Sequence, residues 1–223
     1  MIRPLLALIA LLALLVAAGC GDDDSGGETA AATDTAATAA ASCAEVAQPD
    51  AKPDGGASKP TGKLDPDKVH DVTFTTSCGE FTVRLDVKGA PSTTASFAKL
   101  AEDGFYDGTT FHRIVPGFVI QGGDPTGTGT GGPGYQTIDK PPANARYVKG
   151  VVAMAKTAAE PAGTSGSQFY VVTAPDAGLP PDYAIVGEVV EGMDTVVRIE
   201  ELGSPSEQPV RPVVIESATV SES

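Results

Sequence analysis

The residues with the most specific chemistry lie in one run, Phe111-His112-Arg113-Ile114-Val115-Pro116-Gly117-Phe118-Val119-Ile120-Gln121-Gly122-Gly123-Asp124. Strand alternation puts Arg113 and Val115 on one face, and after the Pro116-Gly117 turn the chain returns with Phe118 and Gln121. A permanently charged, planar donor is thereby set beside an aromatic ring and a side-chain amide, in surroundings otherwise built for burial. Such a group can stabilise negative or lone-pair density that develops during a reaction. It can also be a rim arginine bound to a carboxylate, and the residues alone leave both readings open.

Other chemistries find less support. Gly127-Thr128-Gly129-Thr130-Gly131-Gly132 contains a G-x-G-x-x-G match, but Pro133-Gly134 follows where a dinucleotide site needs a helix to begin. Gly163-Thr164-Ser165-Gly166-Ser167 misses the G-x-S-x-G elbow because Ser167 replaces the second glycine. The chain has only two histidines, His70 and His112, and no pair of ligands at metal spacing. His112 reads as a structural, hydrogen-bonding residue, and no metal or cofactor is expected.

The elements that must position Arg113 follow from patterning. Val72 and Phe74, then Phe81, Val83 and Leu85 across Cys78-Gly79, alternate as a hairpin with one buried face. Pro91 opens, and Gly104 closes, a helical segment carrying Phe97, Leu100 and Ala101. Short apolar runs recur at 111–115, 118–120, 150–155, 169–172 and 185–189, a second helix is predicted over Met193–Glu200, and Val213–Val220 reads as a last strand. With 26 Gly and 18 Pro separating short strands, this predicts a mainly β, closed antiparallel barrel with two helices rather than a βαβ array.

The remainder divides into leader and tether. Arg3, the apolar run Leu5–Val16 and the small residues Ala17-Ala18-Gly19 form a signal peptide over residues 1–19. Cys20 follows directly and resembles the lipidated cysteine of a bacterial lipobox, although Ala17 stands where leucine is favoured. The expectation is an exported protein held to the outer face of the cytoplasmic membrane by acyl chains on Cys20 alone. Residues 20–64 are poor in large apolar side chains and are expected to be a disordered tether with a reach of about 35 Å. Residues 65–223 are the folded domain. Of the two remaining cysteines, Cys43 and Cys78 are expected to pair, which suits an oxidising compartment and contributes on the order of 3 kcal/mol. A net charge of −14 argues against a nucleic-acid partner, and nothing in the composition points beyond a monomer.

Three motifs in order decide the reading. The run 111–124 resembles the signature of the cyclophilins, the immunophilin family of prolyl isomerases. Gly166-Ser167-Gln168-Phe169-Tyr170 resembles the second signature and Tyr183-Ala184-Ile185-Val186-Gly187-Glu188-Val189 the third, with Gly131-Gly132-Pro133-Gly134-Tyr135 between them as in bacterial members. The resemblance implies an eight-stranded barrel capped by two helices, acting on X-Pro bonds of Pro-containing polypeptides, here unfolded or exported ones. It implies Arg113 as the catalytic arginine and Gln121 as the residue that orients it. It further implies Phe118, Met154, Tyr170 and Leu179 as the proline pocket, Ala155 and Lys156 as the edge that pairs with the peptide backbone, and Gln168 as a groove residue. Tyr170 replaces the usual Phe, Lys156 a common Asn, and Val186 the usual Phe of the third signature. Gly178 stands where many members carry the tryptophan that touches cyclosporin, so weak cyclosporin binding is expected.

Overall fold

The computed structural model describes residues 42–223. The expected signal peptide and the lipidation of Cys20 fall on residues outside that range.

Ten strands and two helices follow in the order β1 His70–Thr76, β2 Gly79–Leu85, α1 Pro91–Glu102, β3 Arg113–Val115, β4 Val119–Gly122, β5 Thr137–Ile138, β6 Val151–Met154, β7 Thr164–Ser165, β8 Phe169–Val172, β9 Ile185–Glu191, α2 Met193–Glu200 and β10 Ile215–Glu222. The predicted hairpin is β1–β2, with Phe74 opposite Phe81 and Val72 opposite Val83, all buried. Helix α1 begins at Pro91 and lacks a capping side chain of its own; Asp139, far along the chain, accepts hydrogen bonds from Ser92 N and Thr93 N at 2.8 and 2.6 Å. A carboxylate placed there satisfies free N–H groups and meets the positive end of the helix dipole. Helix α2 starts from Gly192 at φ 75°, where an added Cβ would lie 2.2 Å from the Glu80 carbonyl oxygen. Only glycine allows that approach.

Eight strands form one antiparallel sheet in the order β10-β1-β2-β9-β6-β8-β4-β3, and β5 pairs with β7 in a separate ribbon that the sequence did not suggest. The expected closed barrel is therefore corrected to a sheet whose end strands, β3 and β10, do not pair with each other. The gap is bridged by the segment before β3, through Phe111 N to Val213 O at 3.0 Å, Ile215 N to Thr109 O at 2.8 Å and Gly108 N to Ile215 O at 2.7 Å. Strand β3 spans three residues, too few for a continuous ladder, and Ile114 N instead donates to Glu207 O at 2.8 Å in the loop after α2.

The sheet curls around an aromatic core in which Phe74, Phe97, Tyr106, Phe111 and Phe169 pack edge to face or tilted at 5.2–6.0 Å between ring centroids. Val186, on β9, belongs to this core. A second, smaller apolar cluster lies on the other face of β4, β6 and β8 around Val119, Ala153, Tyr170 and Val172. Strand β8 shows why both exist: Phe169 and Val171 enter the first cluster, Tyr170 and Val172 the second.

Residues 42–64 correct the tether reading. They run along the domain as an extended strap, starting at a Cys43–Cys78 disulfide. Lys52 N donates to Pro125 O at 2.8 Å, and Lys52 Nζ donates to the carbonyl oxygens of Gly104, Phe105 and Asp107 at 3.1, 2.7 and 3.1 Å. Composition signals disorder by counting apolar side chains. It does not register a covalent bond or a series of backbone hydrogen bonds made across long sequence separations.

Candidate active site

Register builds the site. In the β3–β4 hairpin Arg113 lies opposite Gln121, and on the other side Gln121 lies opposite Tyr170 of β8. Three neighbouring positions on one sheet face thus carry a guanidinium, an amide and a phenol. Around them Arg113, Phe118, Val119, Gln121, Ala155, Lys156, Tyr170, Leu179 and Tyr183 line a cavity of about 250 Å³. A larger groove of about 660 Å³ continues past Gln121, Ala155 and Lys156 to Gln168 and the glycine-rich loop 129–134.

Seven of the nine expected site residues border the cavity, and Gln168 borders the adjoining groove. Met154 does not join them. It is 1% exposed and packs in the aromatic core. Strand parity is the reason: Val152 and Met154 face inward while Ala153 and Ala155 face the site, so a neighbour one residue away is on the opposite side. Two lining residues were missed, Val119 and Tyr183. Val119 follows Phe118 in the first motif and packs in the second cluster, while Tyr183 opens the third motif and meets Tyr170 edge to face at 5.8 Å. An aromatic beside a motif already in hand was the available signal for Tyr183.

Arg113 has the carboxylate partner of a rim arginine. Its Nε donates to Glu207 Oε2 at 2.7 Å, and its Nη1 reaches Gln121 Oε1 at 3.5 Å. Nη2 has no partner among the described residues, and Arg113 lines the cavity. Glu207 holds φ 64°, the only non-glycine residue with positive φ among those described. The loop is thus held in a sparsely populated conformation with its backbone carbonyl on Ile114 and its carboxylate on Arg113.

Lys156 is placed differently from an offered cation. Its side chain is 2% exposed; Nζ pairs with Asp182 at 2.6 Å, donates to Thr157 O and Glu160 O, and lies 5.4 Å from the Tyr183 ring centroid. The ammonium ties down the 157–163 loop, and only the Lys156 backbone, without intramolecular partners among the described residues, faces the groove. Ala155 N is already committed to Gln168 O at 2.9 Å.

The His112 ring is buried, and neither nitrogen meets a partner at full hydrogen-bond geometry among the described residues. Burial lowers its pKa and Arg113 adds to this, while Asp124 and a backbone hydrogen bond to Thr110 oppose it. Burial also works to raise the Asp124 pKa, but hydrogen bonds from Thr126, Gly131 and Gly129 hold it below the usual carboxylate value.

The Tyr170 hydroxyl is a further buried group without a partner, and burial raises its pKa far above that of free phenol. Leaving a donor unsatisfied in an apolar wall is costly. Tyr170→Phe is therefore expected to raise stability by about 1 kcal/mol while isomerisation of a short peptide changes less than about twofold. Thermal unfolding beside a kinetic assay checks this, and a destabilised variant would show that the hydroxyl has a partner after all.

Arg113 thus borders an apolar cavity of about 250 Å³ with the Lys156 backbone alongside, an arrangement suited to a small apolar ring on an extended chain. The comparisons agree. The family model described as cyclophilin type peptidyl-prolyl cis-trans isomerase/CLD matches residues 71–220. A peptidyl-prolyl cis-trans isomerase-like 1 of Aspergillus oryzae is 41% identical over 157 residues, covering 68% of this chain and 96% of that protein. Peptidyl-prolyl cis-trans isomerase B of Bacillus subtilis is 45% identical over 108 residues, 48% of this chain and 73% of that one. A longer relative, peptidyl-prolyl cis-trans isomerase-like 2 of Cryptococcus neoformans, is 38% identical, but the match spans only 27% of its length. Among solved structures, a Cryptosporidium parvum cyclophilin type peptidyl-prolyl cis-trans isomerase superposes with a TM-score of 0.63 at 30% identity, covering 69% of this chain and 98% of that one. The same protein was also solved in the presence of the dipeptide Ala-Pro. The chain belongs to the cyclophilin-type peptidyl-prolyl cis-trans isomerases.

Proposed function

We propose that this chain accelerates rotation about X-Pro bonds in exported polypeptides, and that Arg113 is its catalytic residue. An X-Pro amide rotates slowly, over tens of seconds, because the nitrogen lone pair is delocalised into the carbonyl. In the twisted transition state that pair returns to nitrogen, which then accepts a hydrogen bond. A donor aimed there binds the twisted form better than either planar form, and this difference is the catalysis. Phe118, Val119, Tyr170 and Leu179 hold the ring, Gln121 steadies Arg113, and the Lys156 backbone pairs with the flanking peptide. The steps involve no change of covalent bonds. The observation that carries the reading is an Arg113 Nη2 without a partner among the described residues, on a guanidinium that lines a socket built of these apolar side chains. The test is cis/trans exchange of an Ala-Pro peptide by NMR, with the native chain and with Arg113→Ala.

The compartment belongs to the same proposal. A signal peptide over residues 1–19, lipidation at Cys20 and attachment to the outer face of a bacterial cytoplasmic membrane rest on the leader sequence and suit the Cys43–Cys78 disulfide. Mass spectrometry of the mature N-terminus tests the acylation. We further expect a monomer that binds cyclosporin weakly. Gly178, at φ 64° beside Leu179, offers no side chain to the drug. Isomerase activity that persists at micromolar cyclosporin supports this, and inhibition at nanomolar drug refutes it.

The Arg113–Glu207 ion pair favours one second reading, a module that binds Pro-containing peptides or holds unfolded chains without catalysis, since a paired guanidinium is a weaker electrophile. Peptide binding without any rate enhancement would establish it.

A further inference from the structure

The peptide group joining Gly131 to Gly132 is gripped at both ends. Its carbonyl oxygen accepts from Gln168 Nε2 at 2.9 Å, and its N–H, carried by Gly132, donates to Asp54 Oδ1 at 2.9 Å. From Gln168 a line of hydrogen bonds leads to the catalytic group: Gln121 Nε2 donates to Gln168 Oε1 at 3.1 Å, and Arg113 Nη1 to Gln121 Oε1 at 3.5 Å.

The sense of this line is dictated by chemistry at its far end. A guanidinium only donates, so Gln121 must turn its oxygen toward Arg113 and its NH2 toward Gln168. Gln168 must then turn its oxygen toward Gln121, and its own NH2 needs an acceptor. The Gly131 carbonyl is that acceptor.

We propose that Asp54 is a positioning residue for Arg113: from the strap, it locks the Gly131–Gly132 peptide in the one orientation that gives the amide relay its correct sense. A lock is needed because both flanking residues are glycine. Turning the peptide over would bring Gly132 to positive φ, a region that glycine enters freely. Its present φ lies outside that region, and nothing stands within 4 Å of where a Cβ would be, so an alanine fits there in the present orientation. Turned over, the Gly132 N–H would face Gln168, whose amide would have to reverse. Gln121 would reverse in turn and present its NH2 to Arg113, donor against donor.

The strap is built to hold Asp54 in place. Gly55 N donates to Gly132 O at 2.9 Å, Ala57 N to Pro133 O at 3.1 Å, and Lys52 is anchored on three carbonyls. Asp124, the other carboxylate on this loop, accepts from Gly131 N at 3.2 Å and so holds the preceding peptide, not this one. The strap lies outside the segment matched by the family model, residues 71–220. Part of the groove wall in this chain is therefore braced by residues that precede the family domain.

The proposal rests on Arg113 acting as described under Proposed function. Its test is Asp54→Ala, read by Ala-Pro exchange kinetics, by the side-chain NH2 resonances of Gln168 and by thermal unfolding. The expected result is a fall in kcat/KM of about fivefold, the scale of one ordinary hydrogen bond acting through the relay, with shifted Gln168 resonances and nearly unchanged unfolding, since Asp54 is exposed. Asp54→Asn keeps an acceptor and should recover most of the activity. Adding Gly132→Ala to Asp54→Ala should also recover activity, because alanine resists the positive φ that the flipped peptide needs. Unchanged kinetics and Gln168 resonances in Asp54→Ala overturn the proposal, as does a loss that Gly132→Ala leaves unrepaired. If Arg113→Ala is inactive while Asp54→Ala behaves as the native chain, the relay alone fails; if Arg113→Ala is fully active, the catalytic reading fails with it.

Discussion

Arg113→Ala is expected to lower kcat/KM for X-Pro isomerisation by about a hundredfold, the scale set by removing one donor that acts in the transition state. That corresponds to about 2.7 kcal/mol at the barrier. The loss should fall on kcat, because the apolar wall proposed to hold the proline ring, Phe118, Val119, Tyr170 and Leu179, is left in place by the substitution. Peptide affinity, measured by NMR titration, should therefore change only a few-fold. Arg113→Lys separates charge from geometry. A lysine keeps the cation but loses the planar fork that serves Glu207, Gln121 and the substrate together, so it should recover little. Equal rates for native and Arg113→Ala chains would remove the catalytic role and leave the peptide-binding reading.

The second large effect concerns the strap. Replacing Cys43 and Cys78 together by alanine opens a covalent loop with a sequence separation of 35. In the chain-entropy description, closing such a loop contributes about 4 kcal/mol through the unfolded state. For a domain of this size that lowers Tm by roughly 10 °C. The same result is expected on reducing the native chain. Amide exchange should quicken first in residues 44–57, where Ala44, Lys52, Gly55 and Ala57 donate to the domain. A Tm within a degree or two of native, with exchange in the strap unchanged, would mean that the noncovalent contacts alone suffice to dock it.

Local signals carried much of the fold. The hairpin β1–β2, the start of α1 at Pro91 and the span Met193–Glu200 of α2 follow from alternation, terminal Pro and Gly, and helical spacing. Each depends on residues close together in the chain. The ribbon β5–β7 escaped notice because two-residue strands have no period to detect. The tether reading extended through residue 64 because its composition is that of a disordered segment, whereas its contacts are with Gly104, Pro125, Gly132 and Pro133, far along the chain.

By itself, then, the sequence determined the kinds of group available and their order: one arginine beside an amide, apolar residues for a socket, and three motifs whose sequence identifies the family. Only the tertiary structure decided which of them meet. Met154 and Val119 exchange roles because strand parity fixes the face each presents. Arg113 meets Glu207 across 94 residues, and Asp54 meets Gly132 across 78. Pairings at that separation leave no periodic trace, because they are set by the curl of the sheet and the course of its loops, not by neighbours along the chain.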